Sequence, residues 1–205
     1  MRKLQSLMLA GALVLGLTST AGAVTEDEIP LQAQIDEVLA KTEGGVQISK
    51  NEIAWHGGEA IMSFPLPGES KAPISSPAAQ RLQAKVAGKP AGTVEPAATD
   101  VSIQADDGDC PTEIFGNDWY CFYQNDNFGG RRLQWNATHR SPVYFSDYDF
   151  ENKVSSWSNK GGKQIYVYEN FWVGRPTHLW TEEPHSRDSS VPNSVDNRAE
   201  SFTTS

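Results

Sequence analysis

Cysteine is nearly absent from this chain, with Cys110 and Cys121 the only two. Histidine is scarce as well, and His56, His139, His178 and His185 show no His-Glu-x-x-His spacing. The sequence also lacks Gly-x-Ser-x-Gly and any Gly-rich loop suited to cradling phosphates. Hydrolytic and nucleotide-dependent catalysis are therefore without a motif, and the chain reads as a non-enzyme. Positive charge is short: 17 basic residues face 26 acidic ones, for a net charge of -9. That balance excludes the concentrated basic surface a nucleic-acid partner requires. Aromatic residues are missing from most of the first half, where only Trp55 and Phe64 precede residue 110. Large rings supply much of a small core, so residues 110–205 are expected to form the packed domain.

Residues 1–23 have the layout of a secretory signal peptide. Arg2 and Lys3 precede an apolar run from Leu4 to Leu17, and Ala21-Gly-Ala23 ends it as a cleavage site. The run is too short to span ~30 Å of hydrocarbon at ~1.5 Å per residue, so a secreted, extracellular protein with no membrane contact after cleavage is expected. In that oxidising setting Cys110 and Cys121 most simply form one disulfide, stabilising by roughly 2–3 kcal/mol.

Residues 24–64 are expected to be a small pro-segment. A helix over 26–43 places Ile29, Ile35, Val38 and Leu39 on one face, and Gly44-Gly45 ends it. Val46 to Trp55 and Ala60 to Phe64 would then form a hairpin around His56-Gly-Gly-Glu59. Such a unit buries little on its own, so it reads as a propeptide first, with a docking element or a weak satellite of the main domain as alternatives. Residues 65–109 carry six prolines amid Ala, Ser, Gly and Thr and read as an extended or disordered linker.

The domain itself is duplicated at a spacing of 45 residues. Phe122, Tyr123, Gly129 and Trp135 align with Val167, Tyr168, Gly174 and Trp180, and Glu151-Asn-Lys-Val-Ser-Ser-Trp157 aligns with Asp196-Asn-Arg-Ala-Glu-Ser-Phe202. A fixed period means two copies of one supersecondary unit. Short strands with regular turn signals make the fold class all-β, with two four-strand Greek keys packed as a sandwich. Arg131-Arg132 would lie on a solvated strand face. Asn136-Ala-Thr138 is a formal glycosylation acceptor with no other support in a chain of bacterial character.

These residues carry a resemblance. Tyr123-x4-Phe128-x-Gly130 resembles the aromatic pattern of βγ-crystallin Greek keys, and the two Asn-containing segments resemble the calcium motif of that superfamily. Together with Cys110-Pro111, Trp119-Tyr-Cys121 and Phe128-Gly-Gly-Arg-Arg-Leu133, they make residues 110–205 similar to the actinobacterial (Streptomyces-type) metalloproteinase inhibitor family. The resemblance implies a βγ-crystallin-like sandwich and a monomeric, secreted proteinaceous inhibitor of a secreted protease, expected to be a metalloprotease. The chain has no cysteine after Cys121 and so lacks the additional disulfide loop held to carry the type inhibitor's reactive bond.

Two sites follow. The only tip with a concentrated apolar cluster is Asn170-Phe171-Trp172-Val173, where the first copy has the polar run Asn125 to Phe128. An exposed loop there would be the inhibitory element; the alternative is that Phe171 or Trp172 turns inward as the hairpin's anchor. The calcium candidates are Glu151, Asn152 and Ser155 in copy one and Asp196, Asn197 and Glu200 in copy two, because a hard cation takes several oxygen ligands. Copy one has Glu151 where Asn or Asp is usual, and copy two has Glu200 where Ser or Thr is usual. The alternative is plain backbone hydrogen bonding by Asn and Ser at strand ends. No cofactor is required, and any calcium binding is expected to be weak. The competing functions are a calcium-binding interaction module at the cell surface and a killer-toxin-like βγ-crystallin, since a shared fold does not fix function.

Overall fold

The duplicated segment forms two matched sets of four strands in a computed structural model. The structure describes residues 29–88, 110–111, 119–136, 139–169 and 176–205. The expected signal peptide and inhibitory tip lie outside them. Copy one comprises β4 (Tyr120–Asn125), β5 (Gly129–Trp135), β6 (Val143–Tyr144) and β7 (Ser156–Asn159). Copy two comprises β8 (Ile165–Glu169), β9 (Thr177–Glu182), β10 (Ser186–Asp188) and β11 (Ser201–Thr204). Their order is β5-β4-β7-β10 in one sheet and β9-β8-β11-β6 in the other, so each copy donates its third strand to its partner's sheet. All strand pairs are antiparallel.

Alternation along these strands builds the core between the sheets. Tyr120, Phe122, Leu133 and Trp135 from one sheet meet Ile165, Val167 and Phe202 from the other. The rings pack edge to face, with Phe122 and Trp135 centroids 5.7 Å apart and Trp135 and Phe202 centroids 4.8 Å apart, a geometry that satisfies ring quadrupoles. The copy-one hairpin explains its own sequence pattern. Phe128 is buried 5.4 Å from Tyr123, while Asn127, Phe128 and Gly130 all have positive φ. A Cβ on Gly130 would come within 2.9 Å of the Gln124 side chain, so only glycine fits this turn.

The N-terminal half departs from the expectation of a detachable unit. Its helix α1 (Leu31–Lys41) is shorter than expected, and three strands follow: β1 (Val46–Ser49), β2 (Glu52–Trp55) and β3 (Ala60–Ser63). β3 pairs antiparallel with β5, from Ala60 opposite Trp135 to Ser63 opposite Arg132, which extends the copy-one sheet to seven strands. Ile35, Val38, Ile53, Trp55, Met62 and Phe64 join the same core as the sandwich rings. A helix and hairpin that bury little alone thus gain a core by completing another sheet.

The expected linker is also structured over its described part. α2 (Pro77–Val86) begins at Ser76, whose hydroxyl accepts from the Ala79 amide at 3.2 Å, and Pro77 suits the first helical turn. Its small residues permit close approach: Ala79 is buried in a second cluster with Ala54, Ile61, Cys121, Tyr123 and Phe128. Gly58 fits beneath Leu82, where a Cβ would sit 2.6 Å from the Leu82 Cβ. Cys110 pairs with Cys121 as expected, with Cα atoms 5.9 Å apart. Cys110 and Trp119 complete this second layer over the outer face of the copy-one sheet.

The two layers correct the reading of Arg131-Arg132, which lie on opposite faces of β5. Arg131 sits 5.8 Å from the Phe64 and Phe150 ring centroids of the inner core, and Arg132 lies under the outer layer. Arg132 is fully buried and Arg131 is 6 % exposed. Arg132 donates to Gln134 Oε1, to the Ser63 hydroxyl and to the Pro73 carbonyl at 2.9, 3.4 and 3.0 Å. Nearby Glu52 is also buried and accepts from the Ser76 amide at 3.0 Å and the Ser49 hydroxyl at 2.8 Å.

Candidate functional site

The two Asn-containing segments meet across the sandwich's pseudo-twofold axis. The Asn152 amide donates to the Ala199 carbonyl at 2.9 Å, and the Asn197 amide donates to the Val154 carbonyl at 3.2 Å. Both asparagines have φ of 55°, a left-handed conformation that Asn tolerates better than β-branched residues do. A second reciprocal pair ties each segment to the other copy: Val191 donates to the Ser155 carbonyl and Phe145 to the Glu200 carbonyl, both at 2.9 Å. These bonds give the motifs a structural task. They hold the exchanged strands in register whether or not metal is present.

Their side chains differ between copies. In copy one Glu151 is half-buried, Asn152 is exposed and Ser155 is buried. Positive charge gathers beside them. Asp149 lies 3.4 Å from Arg131, 3.4 Å from Lys153 and 3.6 Å from Lys41, the last contributed by α1. Three cations around one carboxylate oppose the binding of a further cation. In copy two Asp196 is half-buried, accepts from the Asn197 amide group at 3.0 Å through Oδ2, and leaves Oδ1 buried without a hydrogen-bond partner among the described residues. Arg198 is neutralised by Glu169, with bonds of 2.9 and 2.6 Å that hold the Glu169 carboxyl below its ordinary range. Glu200 is half-buried, and its backbone bonds to Phe145 and Tyr168. Among the described residues no three His, Cys, Asp or Glu side chains converge as a metal cluster.

The described part of copy two presents a different kind of surface. β9 is the outermost strand of its sheet. Outward from the core, one row across the sheet runs Tyr144, Ser201, Tyr168, His178, and the next runs Thr203, Tyr166, Thr181. His178 lies 5.7 Å from the Tyr168 ring and 2.9 Å from the Thr181 hydroxyl. Seven residues connect β8 to β9, against three between β4 and β5. Consistent with that longer connection, Trp180 faces Val167, two residues out of step with Trp135 facing Tyr120. Asn170 to Val173 fall in this connection.

Sequence reasoning passed over one buried acid. Glu182 is fully buried on the inner face of β9, accepts from the Trp180 indole at 3.2 Å and leaves Oε2 unpartnered among the described residues. Burial pushes its carboxyl well above the usual carboxylate range, and the indole bond offsets only part of this. The signal was its parity with Trp180, which places both on the core side of one strand. Tyr120, buried close to it, has its hydroxyl raised by burial and then by the Glu182 charge.

Comparison with known proteins gives this arrangement relatives. Residues 104–176 match the model of peptidase inhibitor family I36, so the family resemblance read from the sequence stands; that family is one of inhibitors, not enzymes. A βγ-crystallin domain from Clostridium beijerinckii is similar at 22 % identity over 42 % of this chain and 94 % of its own, with a TM-score of 0.34. A βγ-crystallin from an archaeon is similar at 23 % identity over 44 % of this chain and 100 % of its own, with a TM-score of 0.33. No curated protein matches the chain.

Proposed function

We propose that this chain is a secreted proteinaceous inhibitor of a metalloprotease, which it blocks by occupying the enzyme through an exposed loop without chemistry of its own. The match of residues 104–176 to an inhibitor family carries the reading. The loop is Asn170-Phe171-Trp172-Val173, whose apolar residues would fill a hydrophobic substrate pocket. The connection that holds these residues joins the paired strands β8 and β9, and a loop held at both ends costs less to order on binding. Among the described residues no helix is long and apolar enough to cross a bilayer.

A panel of metallo-, serine and cysteine peptidases titrated with the full chain tests the reading. Inhibition of a metallopeptidase at stoichiometric concentration is expected, and a panel left fully active would sink it. Phe171→Ala with Trp172→Ala should raise the inhibition constant at least ~10-fold, the loss of about 1.4 kcal/mol or more, with melting unchanged.

A weaker calcium-binding role attaches to copy two alone. The orphaned Asp196 Oδ1 beside Asn197 and Glu200 favours it, and the cations around Asp149 disfavour copy one. Calcium would then be a modest stabiliser and not a cofactor of inhibition.

A further inference from the structure

We propose that β9 is a docking edge on which an extended segment of the inhibited peptidase pairs as an additional antiparallel strand. This rests on the inhibitor reading above and assigns a second contact to it, apart from the loop. The molecule itself displays what such an edge accepts. β5 holds the position in copy one that β9 holds in copy two, and β5 carries β3 on its outer side through four antiparallel register pairs. β3 directs Ala60 and Met62 to the inner core and Ile61 to the outer layer. β9 offers a newcomer the same division. Trp180 and Leu179 pack partly against the inner core, while His178 and Thr181 line the outer face.

β9 is also poorly defended against pairing. Soluble proteins guard sheet edges with lysine, proline or inward-facing charge. β9 contains no Lys, Arg or Pro, and its one acidic residue is buried. Its protective features are the inward-facing Glu182 and the register shift between Val167 and Tyr168, which leaves Leu179 without an opposite residue on β8. A peptidase suits this edge chemically. An enzyme that binds extended polypeptide must present unpaired backbone donors and acceptors along its cleft, and an open strand is their complement.

Amide hydrogen exchange on the full chain, free and bound to a metallopeptidase that it inhibits, tests the proposal. Exchange across Thr177–Glu182 should slow at least ~10-fold in the complex, while Gly129–Trp135, already flanked on both sides, should not change. In parallel, Leu179→Pro should weaken inhibition at least ~10-fold and Leu179→Ala less than about threefold, because strand addition reads backbone before side chain. Inhibition with unaltered β9 exchange overturns the edge and leaves the inhibitor reading standing. A concentration-dependent dimer of the free chain with β9 protected also overturns it, in favour of a second copy as occupant. If no peptidase in the panel is inhibited, both fall together.

Discussion

The two copies of the repeat share one strand plan and differ in what covers them. Copy one carries β3 on its free edge, α1 at one side of its core, and a second apolar layer on its outer face. Among the described residues no strand covers the β9 edge of copy two, and its outer face carries Tyr166, Tyr168, His178 and Thr181. Each copy's sheet holds four sandwich strands, and β1–β3 extend only the copy-one sheet, to seven. The covered copy is expected to set stability, the uncovered one to meet partners.

Removing the cover is the largest test of that division. Deleting residues 29–88 would expose the faces of Leu133, Trp135 and Tyr123 now packed under Met62, Trp55 and Ile61. At about 1.5–3 kcal/mol for each large apolar side chain buried, several such losses are comparable to the total stability of a typical domain, about 5–15 kcal/mol. The shortened chain should fail to give a cooperative melt or should melt at least ~15 °C lower. An unchanged melting temperature would restore the detachable-propeptide reading.

Arg132 and its counterpart sharpen the comparison at single residues. Arg132→Ala removes the donor to Pro73, Ser63 and Gln134 beneath the outer layer and should cost about 2–4 kcal/mol in denaturant unfolding. Residue Thr177, 45 positions on, is exposed, and Thr177→Ala should stay within about 0.5 kcal/mol. Equal costs would mean that the cover contributes nothing specific at this site. Reducing Cys110–Cys121 should cost roughly 2–3 kcal/mol for a loop of this length, comparable to Arg132→Ala.

Much of the sandwich was legible because its signals are local. The 45-residue period, the Tyr123-x4-Phe128-x-Gly130 turn and the paired cysteines each act over a few residues or repeat in register. The cover was not legible, for physical reasons. β3 pairs with a strand some seventy residues later, and nothing in Ala60–Ser63 encodes that partner. Glu52–Trp55 is buried on both faces, so its polar Glu52 masks a central strand. α2 packs through Ala79 and Ala84, whose low apolar content resembles linker composition although small side chains are what close packing to the sheet requires. At the candidate sites, the residue patterns separated the two metal motifs only by Glu151 in one copy and Glu200 in the other. Only the structure shows Lys41 reaching Asp149 from α1, so the same cover that stabilises copy one also adds positive charge to its metal motif.

Within copy two, pH separates two carboxylates of opposite sign. Glu182 is raised by burial, so the folded state keeps its proton while the unfolded chain releases it near its ordinary value of about 4.5. Its influence therefore erodes stability as pH rises from there toward the folded value. Glu182→Gln should flatten that decline and raise the melting temperature at pH 7. Glu169 is lowered by Arg198, so its small contribution is present above the ordinary value and lost as pH falls through the folded one. Glu169→Gln should matter only above that range, and slightly, because the pair is exposed. Melting curves across pH 4–8 that show the two substitutions acting alike would remove this distinction.

The smallest expected effect concerns metal. If copy two binds calcium with a dissociation constant of about 1 mM, 10 mM calcium stabilises the fold by roughly 1.4 kcal/mol through mass action. Asp196→Ala should abolish that gain, since it removes the orphaned Oδ1, while Ser155→Ala should leave it intact. The asymmetry follows from charge: a calcium ion at copy one would sit near Lys41, Lys153 and Arg131, whereas the nearest cation at copy two, Arg198, is already held by Glu169. Replacing Lys41 and Lys153 together with Gln should then create a calcium response at copy one that the native chain lacks. Calorimetric titration of that variant showing no new heat would place the cause in the Glu151 and Ser155 side chains and not in the cations that surround them.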